Sequence, residues 1–381
     1  MAHSNCRKLA GKTITKWLTP ILIGVALFTF STTAWSQDRA IGGKRDIDVM
    51  TVNLYIGSDL GALTNLSPAD PAFVTKLLTA VATIHGRILA SNFSKRADAL
   101  AAQIVARGPD LVALQEVSLI RRQSPGDAIL GGAIPATTVE VDFLAILLEA
   151  LRRHGGHYAA VSQVQDTDVE LPLVTGPATT DDVRLTDRDV ILVRTDLPPG
   201  QLSVSNPQGA NFTAAIPLPI GLKVLRGWCS IDVQLRGRAL RVINTHLEDA
   251  LPAPLPNFQG AQAIELLLGP ANTTLPIVLA GDFNSDANGN YSSSTYALLL
   301  SQGRLTDAWS AVHPLDPGLT WGHDEALADP AVRFVFRLDL VLYRGESLAA
   351  ANAEVADPFI GTPPPLWFSD HASVAARILI N

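Results

Sequence analysis

At 381 residues, 47% of them hydrophobic, the chain can bury a large core without needing disulfides or a structural metal. Its net charge of −7 argues against a broad surface that grips polyanions by charge alone, though not against a local basic groove. Two cysteines, Cys6 and Cys229, rule out a disulfide-built scaffold.

The first predicted element is a targeting segment. Arg7, Lys8, Lys12 and Lys16 precede an apolar stretch, Leu18 to Phe30, and Ala34-Trp35-Ser36 gives a small-x-small cleavage pattern before Gln37. The expectation is a signal peptide over 1–36, leaving a single domain over 37–381 that is secreted or periplasmic. The apolar run is shorter than the roughly 20 residues a membrane span needs. Removing 1–36 leaves 25 basic against 36 acidic residues, a net charge of −11, and leaves Cys229 alone, so no internal disulfide is expected.

Strand-like runs follow at Ile47–Leu54, Leu111–Leu114, Val190–Val193, Ile231–Leu235, Leu240–Ile243, Ile277–Ala280, Leu338–Tyr343 and Ala372–Ile380, with a hairpin turn at Arg236-Gly237-Arg238. Helical spacing marks Ser94–Ala106, which stops before Gly108-Pro109, and Val139–His154, where Thr137 and Glu140 have capping-box spacing. Gln259–Leu268 and Thr295–Ser301 complete the helices. The Pro-, Gly-, Thr- and Asp-rich stretches 118–136, 162–187, 197–222 and 313–334 are expected to be long surface loops. Interleaved helices, strands and hairpins imply mixed sheets.

Polar residues fall at the ends of these apolar runs. "PIVLAGDFNSD" carries Asp282 and Asn284 to the tip of a buried strand, on one side of it because strand side chains alternate. "DLVALQEV" does the same with Glu116, "LRVINTHLED" with His246, and "RDIDVMTVNLY" with Asn53. Asp339 opens a strand in "FRLDLVLYRG", and Asp370-His371 precede the last one. If these ends share one rim, four carboxylates crowd together with two imidazoles and two amides. Such carboxylates repel one another, and burial raises their pKa values. A hard divalent cation held by oxygen ligands, Mg²⁺ or else Mn²⁺ or Ca²⁺, would keep them ionised and would suit hydrolysis of a phosphate ester.

In this order, Asn53-Leu54-Tyr55, Gln115-Glu116, Asn244-Thr245-His246, Gly281-Asp282-Phe283-Asn284, Arg337-Leu338-Asp339 and Ser369-Asp370-His371 make the chain resemble the endonuclease/exonuclease/phosphatase superfamily, the DNase I-like fold. The resemblance covers nearly all of 46–381 and is specific for the superfamily rather than for a substrate. It implies an α/β four-layer sandwich, two mixed sheets packed face to face and flanked by helices. It further implies Glu116 as the main metal ligand, with Asn53 and Asp370 nearby. Asp282 would orient or deprotonate the attacking water with help from Asn284. His371, paired with Asp339, would contact the phosphate, and His246 would be the second imidazole. Tyr55 stands where many members carry Trp. An acid oriented toward the first His is to be found in "LTDRDVILVR" as Asp187 or Asp189, and Arg188 is a candidate phosphate contact.

Other readings fail or carry less. "NSDANGN" opens like a calcium loop, but Thr295 stands where a Glu ligand belongs. No zinc helix, nucleophile elbow or Walker loop is present. "FTAAIPLPIGL", 212–222, is apolar for a loop and is read as core packing ahead of lipid contact. The expected function is therefore an exported, metal-dependent phosphoesterase acting as a monomer on a phosphodiester or phosphomonoester, such as a phospholipid or sphingolipid head group. A secreted nuclease on DNA or RNA is the alternative, and a non-catalytic binding module reusing the fold is the reading from another class.

Overall fold

The computed structural model describes residues 45–381 apart from 133, 199, 219, 220, 252–255 and 358; the expected signal peptide lies outside the described residues. The chain begins with β1 (Asp46–Asn53), α1 (Gly61–Thr64), α2 (Phe73–Ala90), α3 (Phe93–Arg107), β2 (Leu111–Gln115), β3 (Leu119–Gln123), β4 (Thr138–Asp142) and α4 (Phe143–Arg153). It continues through β5 (Tyr158–Gly176), β6 (Thr179–Arg194), β7 (Leu202–Asn211), β8 (Ile216–Pro217), β9 (Lys223–Val224), β10 (Gly227–Leu235), β11 (Arg238–His246) and α5 (Phe258–Leu268). The last elements are β12 (Ile277–Asp282), α6 (Ser294–Ser301), β13 (Thr306–Asp307), α7 (Ala308–Val312), β14 (Asp339–Arg344), β15 (Leu348–Ala356) and β16 (Ser373–Ile380).

Two mixed sheets form. One runs β15-β16-β1-β2-β6-β3-β4 with β5 paired to β6, and the other runs β13-β14-β12-β11-β10-β7. Strand alternation explains why they stack. Leu111 and Ala113 of β2 face the space between the sheets, where they meet Val242 of β11 and Val278 and Ala280 of β12. The intervening Val112 and Leu114 face outward under α3 and α4, and Ile277 and Leu279 face outward under α5 and α6. The result is a helix–sheet–sheet–helix sandwich, as expected, with strands buried on both faces.

Several loops expected from composition are strands instead. Residues 162–187 lie within the long β5–β6 hairpin, 118–136 contains β3, and 197–222 contains β7 and β8. These strands are rich in Asp, Gln, Thr and Arg because much of their surface is only partly buried, so the apolar signal is diluted. The helix expected from Val139 begins at Phe143. Thr138–Asp142 is a strand, Asp142 caps the helix by accepting from the Leu144 and Ala145 amides, and Glu140 bonds His85 at 2.7 Å. The capping box is therefore replaced by a simple Asp cap. The stretch 313–334 is irregular apart from an isolated bridge at Trp321.

Two devices align the ends that matter. β1 and β2 are parallel with Asn53 opposite Gln115. β11 and β12 are parallel with His246 opposite Asp282, and β14 sets Asp339 opposite Asp282 from the other side. Across the sandwich, Gln115 Nε2 donates to Asn244 Oδ1 at 2.7 Å, and Asn244 Nδ2 donates to the Leu114 and Val190 carbonyls at 2.9 and 3.1 Å. A buried amide pair thus locks one sheet to the other next to the functional rim. Gly281 permits the β11–β12 approach, since a Cβ there would lie 2.0 Å from the Thr245 carbonyl oxygen.

Arg96, fully buried on α3, is the second device. Its five N–H groups are all used: Nε to the Ser91 carbonyl, Nη1 to the carbonyls of Leu54 and Phe368, Nη2 to the Tyr55 carbonyl and Ser91 Oγ, at 2.6–3.1 Å. Burial lowers its pKa to about 10, with Tyr55, Asp370 and Glu116 acting in the opposite sense, so it stays charged at neutral pH. It thereby ties the chain just after Asn53 to the chain just before Asp370.

Arg96→Met would orphan buried carbonyls and should cost about 3 kcal/mol or more. Gly281→Ala should cost roughly 1–3 kcal/mol through forced separation of β11 and β12. Denaturant unfolding of both variants checks these values; a change within 0.5 kcal/mol of zero, on the scale of about ±0.5 expected for surface changes, would contradict the account.

Candidate active site

The strand ends assemble one polar, buried cluster. Asp282 has no exposure, and Asn53, His246, Asn284, Asp339 and His371 are each buried. Asp282 Oδ2 accepts from Asn53 Nδ2 at 3.0 Å, and its Oδ1 accepts from the Asn284 amide at 2.9 Å. His246 Nε2 and His371 Nε2 lie 3.5 and 3.7 Å from Oδ2. Burial pushes the Asp282 pKa up, but the charges of His371 and His246 and the two hydrogen bonds outweigh that and hold it below the ordinary value.

His371 links two carboxylates. Its Nδ1 meets Asp339 Oδ2 at 2.8 Å, while Nε2 faces Asp282 and lies 4.0 Å from Asp370 Oδ1. Burial lowers the imidazolium pKa, but Asp339, Asp282 and Asp370 together raise it well above the usual histidine value. Ser369 Oγ donates to the Asn53 carbonyl and accepts from the His371 amide, which explains Ser before Asp-His.

Glu116 follows β2 in a left-handed conformation, φ 54°. That turn swings its carboxylate back over β1, where Oε2 accepts from the Ile56 amide at 2.8 Å and Oε1 from Asn53 Nδ2 at 3.3 Å. Asp370 Oδ2 accepts from Trp321 Nε1 at 3.2 Å, whereas its Oδ1 is buried without a hydrogen-bond partner among the described residues. A buried carboxylate oxygen with no hydrogen bond, its nearest shown positive group being the His371 imidazole at 4.0 Å, suits a hard cation. Ligand atoms of Asp282, Asp339 and His371 also lie within 4.8 Å of one another, a buried acidic/His triad that could hold a divalent metal. The short His371–Asp339 hydrogen bond favours a proton over a metal at Nδ1, and the oxygens of Glu116, Asp370 and Asn53 are a second set that could hold a cation.

His246 differs from expectation. Its Nδ1 faces Arg226 Nη1 at 3.0 Å, and its Nε2 lies 3.2 Å from Asn284 Nδ2. Guanidinium only donates, and so does the Asn284 amide nitrogen, so each ring nitrogen of His246 faces a donor, while Nε2 also faces Asp282. Neither acid of "LTDRDVILVR" takes the place expected for it. Asp187 stands behind Arg226, its Oδ2 3.7 Å from Nη1, with its pKa raised to about 7 by burial and by Glu116. Asp189 is buried, both its oxygens lack hydrogen-bond partners among the described residues, and burial with Asp166 and Asp187 nearby raises its pKa well above normal. Arg188 is turned away from the cluster: Nε donates to the Val117 carbonyl at 2.9 Å and Nη2 to Asp142 at 2.7 Å. As the guanidinium beside the site it is replaced by Arg226, which the sequence reading missed because it stands just before β10, outside any recognised motif. Arg96 and Trp321 were also missed, being an ordinary helix residue and a loop residue in sequence.

The endonuclease/exonuclease/phosphatase family model matches residues 85–371. Comparison with curated protein sequences found no match. Among solved structures, an endonuclease/exonuclease/phosphatase family protein from Leptotrichia buccalis is 18% identical, covering 87% of this chain and 99% of its own, TM-score 0.52. A protein of the same description from Bacteroides vulgatus is 16% identical, covering 89% and 100%, TM-score 0.53. A mannosyl-6-phosphatase from Bacteroides thetaiotaomicron is 15% identical, covering 88% and 100%, TM-score 0.50. At these identities the structures establish a shared fold, and with the family model spanning 85–371 the chain belongs to the endonuclease/exonuclease/phosphatase family.

Proposed function

We propose that the protein is an exported, divalent-metal-dependent phosphoesterase that hydrolyses a phosphodiester or phosphomonoester by attack of water. One observation carries this reading: Asp282, fully buried yet held ionised, sits within 3.7 Å of both imidazoles. Glu116, Asp370 and Asn53 would hold the cation, Mg²⁺ before Mn²⁺ or Ca²⁺, which when bound neutralises phosphoryl oxygens. Asp282 is fixed on both oxygens by Asn53 and Asn284, so it can align a water and accept its proton. His371 gives its Nδ1–H to Asp339 and presents Nε2–H to a phosphoryl oxygen. His246, its Nε2 3.5 Å from Asp282 Oδ2, is the second imidazole, for the developing negative charge or the leaving oxygen. Export rests on the basic, apolar and small-residue pattern of 1–36, and N-terminal sequencing of protein recovered outside the cytoplasm, expected to begin at Gln37, tests it.

Bis-p-nitrophenyl phosphate, mannose 6-phosphate, plasmid DNA, RNA and sphingomyelin should be compared, each with Mg²⁺ or EDTA. At least one should be cleaved with Mg²⁺ and none with EDTA; no turnover at all would favour the binding-module reading. Glu116→Ala, Asp282→Ala and His371→Ala should each lower the rate about 100-fold or more. Full activity in all three would dismiss the site.

The pH dependence follows from His371. Its folded pKa is raised, so the stability it contributes is complete below the unfolded value of about 6.5 and is lost as pH rises through the folded value. Activity that needs the protonated ring has its alkaline limb in that same upper window. Asp339→Asn removes a carboxylate that raises the pKa, so the limb should move to lower pH; a pH–rate profile, with NMR titration of the ring, checks the direction.

A further inference from the structure

The cluster opens on one side into a cavity of about 480 Å³. Glu116, Asp370 and His371 line one part of it, and the remainder is largely aliphatic. Leu63 comes from α1, Leu171 from β5, Leu185 from β6, Ile216 from β8, Leu222 from the turn before β9, and Phe258 from the start of α5. All six side chains are only partly buried. Six segments therefore each leave apolar surface facing one space that ends at the reactive cluster. Contiguous apolar surface of this kind is costly in water and marks a ligand site, and the volume falls in the roughly 300–1,000 Å³ range of small-molecule pockets.

The described residues of 212–222 accordingly divide between the core packing read from composition and this cavity. Phe212 is buried in the core beneath α5 and α6, whereas Ile216, Leu218 and Leu222 form the cavity wall.

We infer that the substrate's ester group carries an aliphatic hydrocarbon chain, which lies along this wall while the phosphate lies at the end of the cavity lined by Glu116, Asp370 and His371. The inference rests on the phosphoesterase reading above and narrows it. The charge on the cavity favours this occupant over nucleic acid: six carboxylate side chains line it against three basic ones, Lys223, Arg226 and His371. A polyanionic backbone needs a run of cations to track it, whereas an alkyl chain is indifferent to the sign of the field and gains from leaving water.

Alkyl p-nitrophenyl phosphodiesters with methyl, butyl, octyl and dodecyl groups, below their micellar concentrations and with Mg²⁺, test it. A fully buried methylene is worth about fourfold in binding, so kcat/KM should rise at least about tenfold from butyl to octyl and level off once the cavity is full. Leu171→Asn and Leu63→Asn, checked for folding by circular dichroism, should lower kcat/KM for the dodecyl ester, with the wild-type-to-variant ratio shrinking as the chain shortens. A ratio that is equal at every length marks a structural effect and counts against the inference. Cleavage of the methyl ester with a flat series overturns the inference and leaves the phosphoesterase standing, as does an oligonucleotide cleaved with higher kcat/KM than any alkyl ester. If no ester is cleaved, the phosphoesterase reading fails, and calorimetry with decyl and methyl phosphonate decides the cavity: tighter binding of the decyl compound sustains it, and equal or undetectable binding overturns it.

Discussion

A carboxylate ionised at zero exposure is the constraint on which this structure turns. Desolvation alone would neutralise Asp282. It stays charged because two imidazoles, one side-chain amide and one backbone amide converge on its two oxygens. Each of those partners comes from a different part of the chain, so no local segment can build the site. The parallel β1–β2 and β11–β12 pairs bring the partners to one rim, the Asn244–Gln115 amide pair fixes the spacing between sheets, and Arg96 fixes the two connecting segments. Each device is itself buried and hydrogen-bonded. Buried polar networks hold one geometry because a half-satisfied alternative is expensive.

How much of this could be read from the sequence follows the same physics. The central strands were legible because both faces are covered, which makes them continuous apolar runs such as Ile277–Ala280, and the motif residues were legible because they interrupt those runs abruptly. The β5–β6 hairpin was not. Many of its residues are only partly buried, so Asp168, Arg184 and Thr186, which pair with one another across the hairpin, gave the composition of a loop. The start of α4 was misplaced because Thr137 and Glu140 have the spacing of a capping box while Asp142, five residues on from Thr137, does the capping.

At the site, the sequence order found the residues but not their partners. Asp339 with His371 emerged as a pair in space, as the resemblance implied. The acid expected to face His246 did not, and Arg226 stands there instead, with Asp187 and Glu248 each 3.7 Å from its guanidinium. Those acids, with Glu116 and Asp166, raise its pKa above normal against the burial that lowers it. A single Arg before β10 has no sequence signature; its role arises only when β6 and β11 are brought alongside.

The balance of charge around the cavity gives the last step. Six carboxylates line it, opposed by Lys223, Arg226 and a protonated His371. Even with Asp187 neutral, which its pKa of about 7 allows near that pH, the acids outnumber the cations by two. A phosphodiester brings one more negative charge into a partly desolvated space, where repulsion is far stronger than in bulk water. The cations that line the cavity do not offset that sum, and Asp370 Oδ1 is left buried without a hydrogen bond among the described residues. Both facts fit the proposed remedy, a compact divalent cation that the oxygens of Glu116, Asp370 and Asn53 would hold. Chelation by such an ion would make the same acidic wall that repels a polyanion tolerant of a single phosphate group.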